Sequence, residues 1–202
     1  DSINIYDIEI PFQNNNIQVI RKDFSELIQY YSPEINRIEC LTNNVINSPL
    51  EERHYLLECY KVFNESINSK LYFQLPCGVG KSYIVLYILS KYIQKNQTSK
   101  HIIFCPWIDL AKQMYELFIS NNIKTDFVGN GKHSITKSSN VIICINMSVS
   151  HIPDNIEITY KIIDEAHHLE SEDSQIRKQI DKLQCIKELN LSATFHNQDY
   201  LD

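Results

Sequence analysis

Pro76-Cys77-Gly78-Val79-Gly80-Lys81-Ser82 sets a lysine and a hydroxyl directly behind two glycines. That order of residue types suits the cradling of a polyphosphate. Gly78 and Gly80 let the backbone turn with its N–H groups inward, onto an anion that also meets the positive end of the following helix. Lys81 would reach the β- and γ-phosphates of a nucleoside triphosphate, and the Ser82 hydroxyl would hold Mg²⁺. Apolar runs lie on both sides, at 71–75 and 83–89, so the order is strand, loop, helix. The bland alternative is a strand-to-helix turn. Against it, the chain has only 4 glycines, and two of them fall here. One departure stands out: the strict pattern has glycine where this chain has Leu75.

A second constellation lies some eighty residues on. Tyr160-Lys161-Ile162-Ile163 runs into Asp164-Glu165-Ala166-His167-His168. An apolar strand that ends in Asp-Glu is the expected other half of a triphosphate site. Asp164 would bind Mg²⁺ largely through water, Glu165 would orient and deprotonate the attacking water, and His167 would sense the γ-phosphate. Taken alone, the segment could be an acidic helix start. Zinc is excluded, because the metalloprotease signature spaces its histidines four apart and these two are adjacent.

These residues need a scaffold. Short β-rich runs at 71–75, 101–105, 125–128, 141–145, 159–163 and 188–191 predict strands. Amphipathic runs at 82–94, 108–121 and 173–184 predict helices. That alternation predicts an α/β fold with a parallel sheet covered on both faces. Ligands of such sheets bind at the carboxyl ends of the strands, where both motifs fall. A further helix is predicted from about 50 to 64, with Leu56, Leu57, Tyr60 and Phe63 on one face.

Residues 1–48 differ in character. They hold Asn14-Asn15-Asn16 and Asn43-Asn44 beside an amphipathic run at 24–31. A short strand, a helix and loops are expected there. The stretch forms an extension before a main domain at 49–202, either as an accessory strand on the sheet edge or as a cover over a base.

Composition bounds the rest. A hydrophobic fraction of 43% over 202 residues supports one α/β domain with an appendage. The six cysteines (40, 59, 77, 105, 144 and 185) form no Cys-x-x-Cys pair and mostly lie in apolar runs. They read as buried free thiols in a reducing compartment, the cytoplasm or nucleus. No apolar stretch has the length of a membrane span. A net charge of −6 excludes nucleic-acid binding by bulk charge, so any such contact is local. With 31 Ile and 19 Asn against 3 Ala, the usage is that of an AT-rich genome, as in some large DNA viruses (whose setting would be host cytoplasm or virion) or protists. The start at Asp1 reads as that of a fragment.

Pro-Cys-Gly-Val-Gly-Lys-Ser, Asp-Glu-Ala-His-His and Leu191-Ser192-Ala193-Thr194 together resemble motifs I, II and III of superfamily 2 helicases and translocases. The flavour is DEAH-type, similar to type III restriction-enzyme motor subunits and helicases of large DNA viruses. The resemblance covers about residues 50–202. It implies a RecA-like P-loop NTPase lobe, three-layered, with ATP and Mg²⁺ as ligands. Pro76, Cys77, Gly78, Val79, Gly80, Lys81, Ser82 and Asp164 would bind the nucleotide. Lys81, Glu165 and His167 would carry catalysis, and Ser82 and Asp164 would hold the metal.

The resemblance also implies that Ser192 and Thr194 couple hydrolysis to movement between lobes. The run 106–113 is similar to motif Ia, so Pro106 and Gln113 would touch a nucleic-acid backbone, although Trp107 stands where relatives often have a small hydroxyl residue. Ser148, in Cys144-Ile145-Asn146-Met147-Ser148, occupies the place of another such contact. A loop-capping hydroxyl is the plain alternative for it and for Ser192. Arg53-His54-Tyr55-Leu56 lies where relatives carry an adenine-reading Arg-x-Tyr-Gln. Leu56 lacks the amide, so selectivity is relaxed or comes from elsewhere, Gln13 or Gln18 included; Tyr55 is read as core packing.

The implied partners are a nucleic-acid track, DNA ahead of RNA, and a second RecA-like lobe bearing an arginine finger. That lobe has no room in this chain. The fragment is therefore expected to bind Mg-ATP weakly and turn it over poorly. Two other classes compete: a nucleotide-gated or structural module without hydrolysis, and a small-molecule kinase. Intact Lys81, Ser82, Asp164 and Glu165 argue against the first, and Ser-Ala-Thr after Asp-Glu-Ala-His against the second.

Overall fold

Alternation with a period of two sorts the strand residues onto two faces, and both faces are covered. The computed structural model describes residues 17–21, 54–169 and 174–194. Seven strands form one sheet: β1 (Ile17–Arg21), β2 (Lys70–Gln74), β3 (His101–Cys105), β4 (Thr125–Val128), β5 (Val141–Ile145), β6 (Ile158–Ile163) and β7 (Cys185–Ser192). Their spatial order is β1-β2-β7-β6-β3-β5-β4. Every pairing is parallel.

Leu71, Phe73, Ile103, Cys105, Ile143, Ile162 and Leu189 face one side. There they meet α1 (His54–Glu65), α2 (Lys81–Lys95) and α3 (Ile108–Ser120). Tyr72, Ile102, Phe104, Ile142, Cys144 and Ile163 face the other side. Those pack on α4 (Gln175–Lys182) and on two 3₁₀ segments, Asn146–His151 and Ala166–Leu169. β3 and β5 are buried along their whole length, as interior parallel strands must be.

Several ends differ from the expected bounds. The helix expected at 173–184 is shorter, because Ser174 Oγ accepts from the Arg177 N–H and caps it at one end, while the chain leaves helical geometry at Leu183. β7 starts three residues earlier than the apolar pattern, since Cys185, Ile186 and Lys187 alternate in exposure yet still extend the pairing with β6. α1 is helical from His54, and residues 50–53 lie outside the described residues. So do Gln13, the run at 24–31, Cys40 and Arg53; of Gln18 only its backbone in β1 is described.

Helix ends are held by lysines from the sheet. Lys187 Nζ donates to the carbonyls of Phe63 and Ser66 at 2.6 and 2.8 Å, closing α1. Lys161 Nζ donates to those of Ile180 and Leu183 at 3.1 and 3.3 Å, closing α4. Both bring side-chain donors to carbonyls at a helix terminus.

Candidate functional site

The phosphate loop fills the gap between β2 and α2. Gly80 is the N-cap of α2 at φ 88° and ψ 43°, and Gly78 has φ 80°. Both are left-handed conformations that cost a side-chain-bearing residue roughly 1–2 kcal/mol. A Cβ on Gly80 would also stand 3.4 Å from Tyr55 Oη. With glycine as its cap, α2 has no side-chain acceptor for its first N–H groups. The anion-binding end therefore stays open.

Leu75, where the strict pattern has glycine, is buried, and its N–H donates to the Ser192 carbonyl at 2.8 Å. It carries the β2–β7 pairing one residue further and sits in the core, so the loop turns only after it. Leu56 is fully buried in the same core, which removes it from any base-reading role. Tyr55 packs against that core too, as its bland reading expected.

The Asp-Glu pair arrives from β6. The Asp164 N–H donates to the Phe104 carbonyl at 2.9 Å, fixing the strand end. Glu165 then adopts φ 49°, a left-handed conformation in a residue that has a Cβ. Such strain persists where surrounding structure imposes it, often at a working site. Here it brings the Glu165 carboxylate to Lys81: Nζ and Oε1 are 2.6 Å apart. Two segments 84 residues apart in sequence thus meet in one ion pair.

Asp164 is treated differently. Its carboxylate is 6% exposed and accepts the Glu165 N–H at 3.1 Å. Burial, and then the neighbouring Glu165 charge, push its pKa up to about 6, with Lys81 and the backbone hydrogen bond pulling the other way. A buried carboxylate short of positive charge has the chemistry of a divalent-cation ligand. Ser82, in the first turn of α2, supplies a second hard oxygen of the kind Mg²⁺ takes.

The third segment closes the site. His167 Nδ1 lies 2.8 Å from Ser192 Oγ and 3.5 Å from Glu165 Oε2. The Ser192 hydroxyl donates its one proton to the Thr194 carbonyl and accepts from the Thr194 N–H. With His167 Nδ1 as its third polar contact, the Ser192 hydroxyl links the Asp-Glu segment to the end of β7. Gln74 and Ala193 add a long contact of 3.5 Å between β2 and the end of β7.

Lys81, Asp164, Glu165, His167 and Ser192 are therefore gathered at one end of the sheet, with Ser82 beside Lys81 on α2. Pro106 and Ser148, both half-buried, follow β3 and β5 at that same end, and Gln113 is exposed further along α3. The thiols split. Cys59, Cys105 and Cys144 are buried as expected, with Cys144 pushed up to about 12 by burial, but Cys77 is exposed in the phosphate loop.

One cluster went unforeseen. Glu188 takes Lys161 at 2.8 Å, Arg177 at 2.7 Å and Lys70 at 3.4 Å. Asn190 Nδ2 donates to Glu188 Oε1 at 3.0 Å. The available signal was the period of two along β7, which puts Glu188, Asn190 and Ser192 on one face.

Comparison with known proteins agrees with this architecture. The family described as type III restriction enzyme, res subunit, matches residues 31–197. No curated protein sequence matches the chain. The SWI2/SNF2 ATPase core of Sulfolobus solfataricus, solved in complex with dsDNA, superposes with a TM-score of 0.64 at 16% identity, over 73% of this chain and 32% of that one. The UvsW helicase of bacteriophage T4 gives 0.55 at 20% identity, over 70% and 52%. The Type ISP restriction-modification enzyme LlaGI, bound to a DNA substrate mimic, gives 0.55 at 16%, over 70% and 17%. At such identities the likeness is one of fold. The chain spans about a third of the first of these proteins.

Proposed function

Because the chain belongs to the type III restriction enzyme res-subunit family, we propose that it is the ATP-binding lobe of an ATP-dependent helicase or translocase. The observation that carries this reading is the 2.6 Å contact between Lys81 and Glu165, which joins the phosphate loop to the Asp-Glu strand end.

In this reading Gly78, Val79 and Gly80 surround the phosphates with backbone N–H groups, and Pro76 and Cys77 shape the entry. Lys81 exchanges Glu165 for phosphate oxygens. Glu165, released, orients water and accepts its proton. Ser82 and Asp164 would hold Mg²⁺, which would supply charge neutralisation for the phosphates. His167, tied to Ser192, relays the state of Glu165 to β7, and Ser192 with Thr194 passes it to a second lobe in the parent protein. That lobe would supply an arginine, and without it hydrolysis by this chain is slow. Pro106, Gln113 and Ser148 lie along a nucleic-acid track, DNA rather than RNA. The S. solfataricus and LlaGI structures, both of DNA complexes, support that choice.

The test is calorimetric titration of the chain with Mg-ATP and Mg-ADP, beside Lys81→Ala. Binding that vanishes in the variant supports a competent nucleotide site. A folded chain that binds neither nucleotide leaves the family's scaffold without its ligand and overturns the proposal. In the full-length parent, Glu165→Gln should keep ATP affinity and lose hydrolysis.

A further inference from the structure

Among the described residues, six large apolar side chains stand exposed, and two of them share an address. Trp107 is 53% exposed and Met147 is 74% exposed. Each stands two residues beyond its strand. The strand ends, Cys105 and Ile145, are register partners on the adjacent parallel strands β3 and β5. Neighbouring strands lie roughly 4.8 Å apart, so the two segments leave from adjacent strand ends, α3 then covering one face of the sheet and 146–151 the other.

Trp107 is the chain's only tryptophan. Its ring meets His168 edge-on, with centroids 4.6 Å apart and planes at 70°. His168 in turn lies against His167 at 4.0 Å. The indole is braced from one side by the Asp-Glu segment while about half of its surface faces water.

The segment after β4 carries lysine, and neither it nor residues 146–153 after β5 hold a carboxylate of their own. After β4 the chain turns at Gly129–Lys132, with Asn130 at φ 48° and Gly131 at φ 78°. This two-residue turn presents Lys132 and His133. His133 stacks on His151 at 3.7 Å, which joins the loops after β4 and β5. From residue 127 through 153 there is no Asp or Glu, although the chain carries −6 overall. Asp109, in the first turn of α3, is the nearest carboxylate in sequence to Trp107.

An exposed indole, with segments after β4 and β5 (129–140 and 146–153) that carry Lys132 and no Asp or Glu of their own, fits an anionic chain with flat apolar faces. A single strand of nucleic acid offers both, since each base has a π-face and each linkage a charge. A paired duplex keeps its base faces covered. We propose that Trp107 is a stacking platform for an unpaired base of a single-stranded nucleic acid, with Met147, after the adjacent strand, as a secondary contact. This rests on the motor-lobe reading and adds to it: the track is gripped by a base as well as by its backbone.

The test uses the full chain with Mg-ATP and two oligonucleotides of equal length and charge, a 15-mer of thymidine and the same backbone without bases. The thymidine strand should quench tryptophan emission and bind roughly tenfold tighter than the abasic one, as one stacked base warrants. Trp107→Ala should bring thymidine affinity down to the abasic level and leave abasic binding unchanged. Met147→Gln, far less intrusive, should give a smaller loss of the same kind. If both strands bind alike, with or without Trp107, the platform is refuted and the track reading survives. If the folded chain binds neither strand at low salt, both fail, and the patch belongs to a protein neighbour.

Discussion

Two networks of buried charge draw on one strand, Lys161 within β6 and Asp164 just past its end, yet they are built on opposite terms. Around Glu188 there is an excess of positive charge. Arg177, Lys161 and Lys70 converge on it, and Asn190 adds a further hydrogen bond. Burial works against the Glu188 charge, but Arg177 and the two lysines overcome it and hold the carboxyl down at about 2. Around Asp164 the balance is reversed. Two carboxylates share Lys81, which lies on Glu165, and Asp164 is left buried with its pKa raised to about 6. The first network is complete as it stands. The second holds negative charge in reserve, which is what a site for a cation and a phosphate requires.

Four measurements test that contrast. The largest effect belongs to Glu188→Gln. It takes from Lys161 its carboxylate partner and from Arg177 one of two, and urea denaturation should show a loss of about 3 kcal/mol. A triple replacement of Glu188, Lys161 and Arg177 by apolar residues of similar volume should cost far less, because it removes the charges together. Next is Asp164→Asn. If the carboxylate is held in reserve, neutralising it should stabilise the fold at pH 7, on the order of 1–3 kcal/mol. A destabilised variant would place Asp164 in the structural class with Glu188.

The acid limb of stability separates the two by sign. The Glu188 carboxyl is depressed in the fold, so its contribution is present above about pH 4.5 and is lost as pH falls toward 2. The Asp164 carboxyl is raised from 3.8 to about 6, so its contribution is present below 3.8 and is lost as pH rises through 6. Chemical denaturation from pH 3 to 7 should therefore show Asp164→Asn flattening the upper part of the profile and Glu188→Gln the lower part. The smallest effect is Ser192→Ala. It removes the partner of His167 and of the Thr194 N–H, for about 1 kcal/mol by thermal melting.

Much of this arrangement was readable from residue order alone. The strand runs from 71 onward, the loop glycines and the Asp-Glu end all declare themselves through local pattern, and local pattern fixed them. Three things escaped. Lys161 and Glu188 are charged residues at buried strand positions, and charge ordinarily marks a strand's outer face. Their burial follows from Arg177, which belongs to another element. The left-handed Glu165 left no mark, because glycine is the usual sign of such a turn and none stands there. Strand order is the third. Nothing in the residues at 185–192 announces that β7 lies between β2 and β6, since that follows from how the crossovers pack.

The position of β7 bears on how the sheet is completed. It is the last in sequence of the seven described strands, and it separates β2 with the phosphate loop from β6 with the Asp-Glu pair. Without residues 185–192 the described strands would divide into two groups with bare inner edges, β1-β2 and β6-β3-β5-β4. Such edges invite mispairing with other chains. Among the described strands, β7 is the piece whose pairing brings the phosphate loop and the Asp-Glu pair into one sheet.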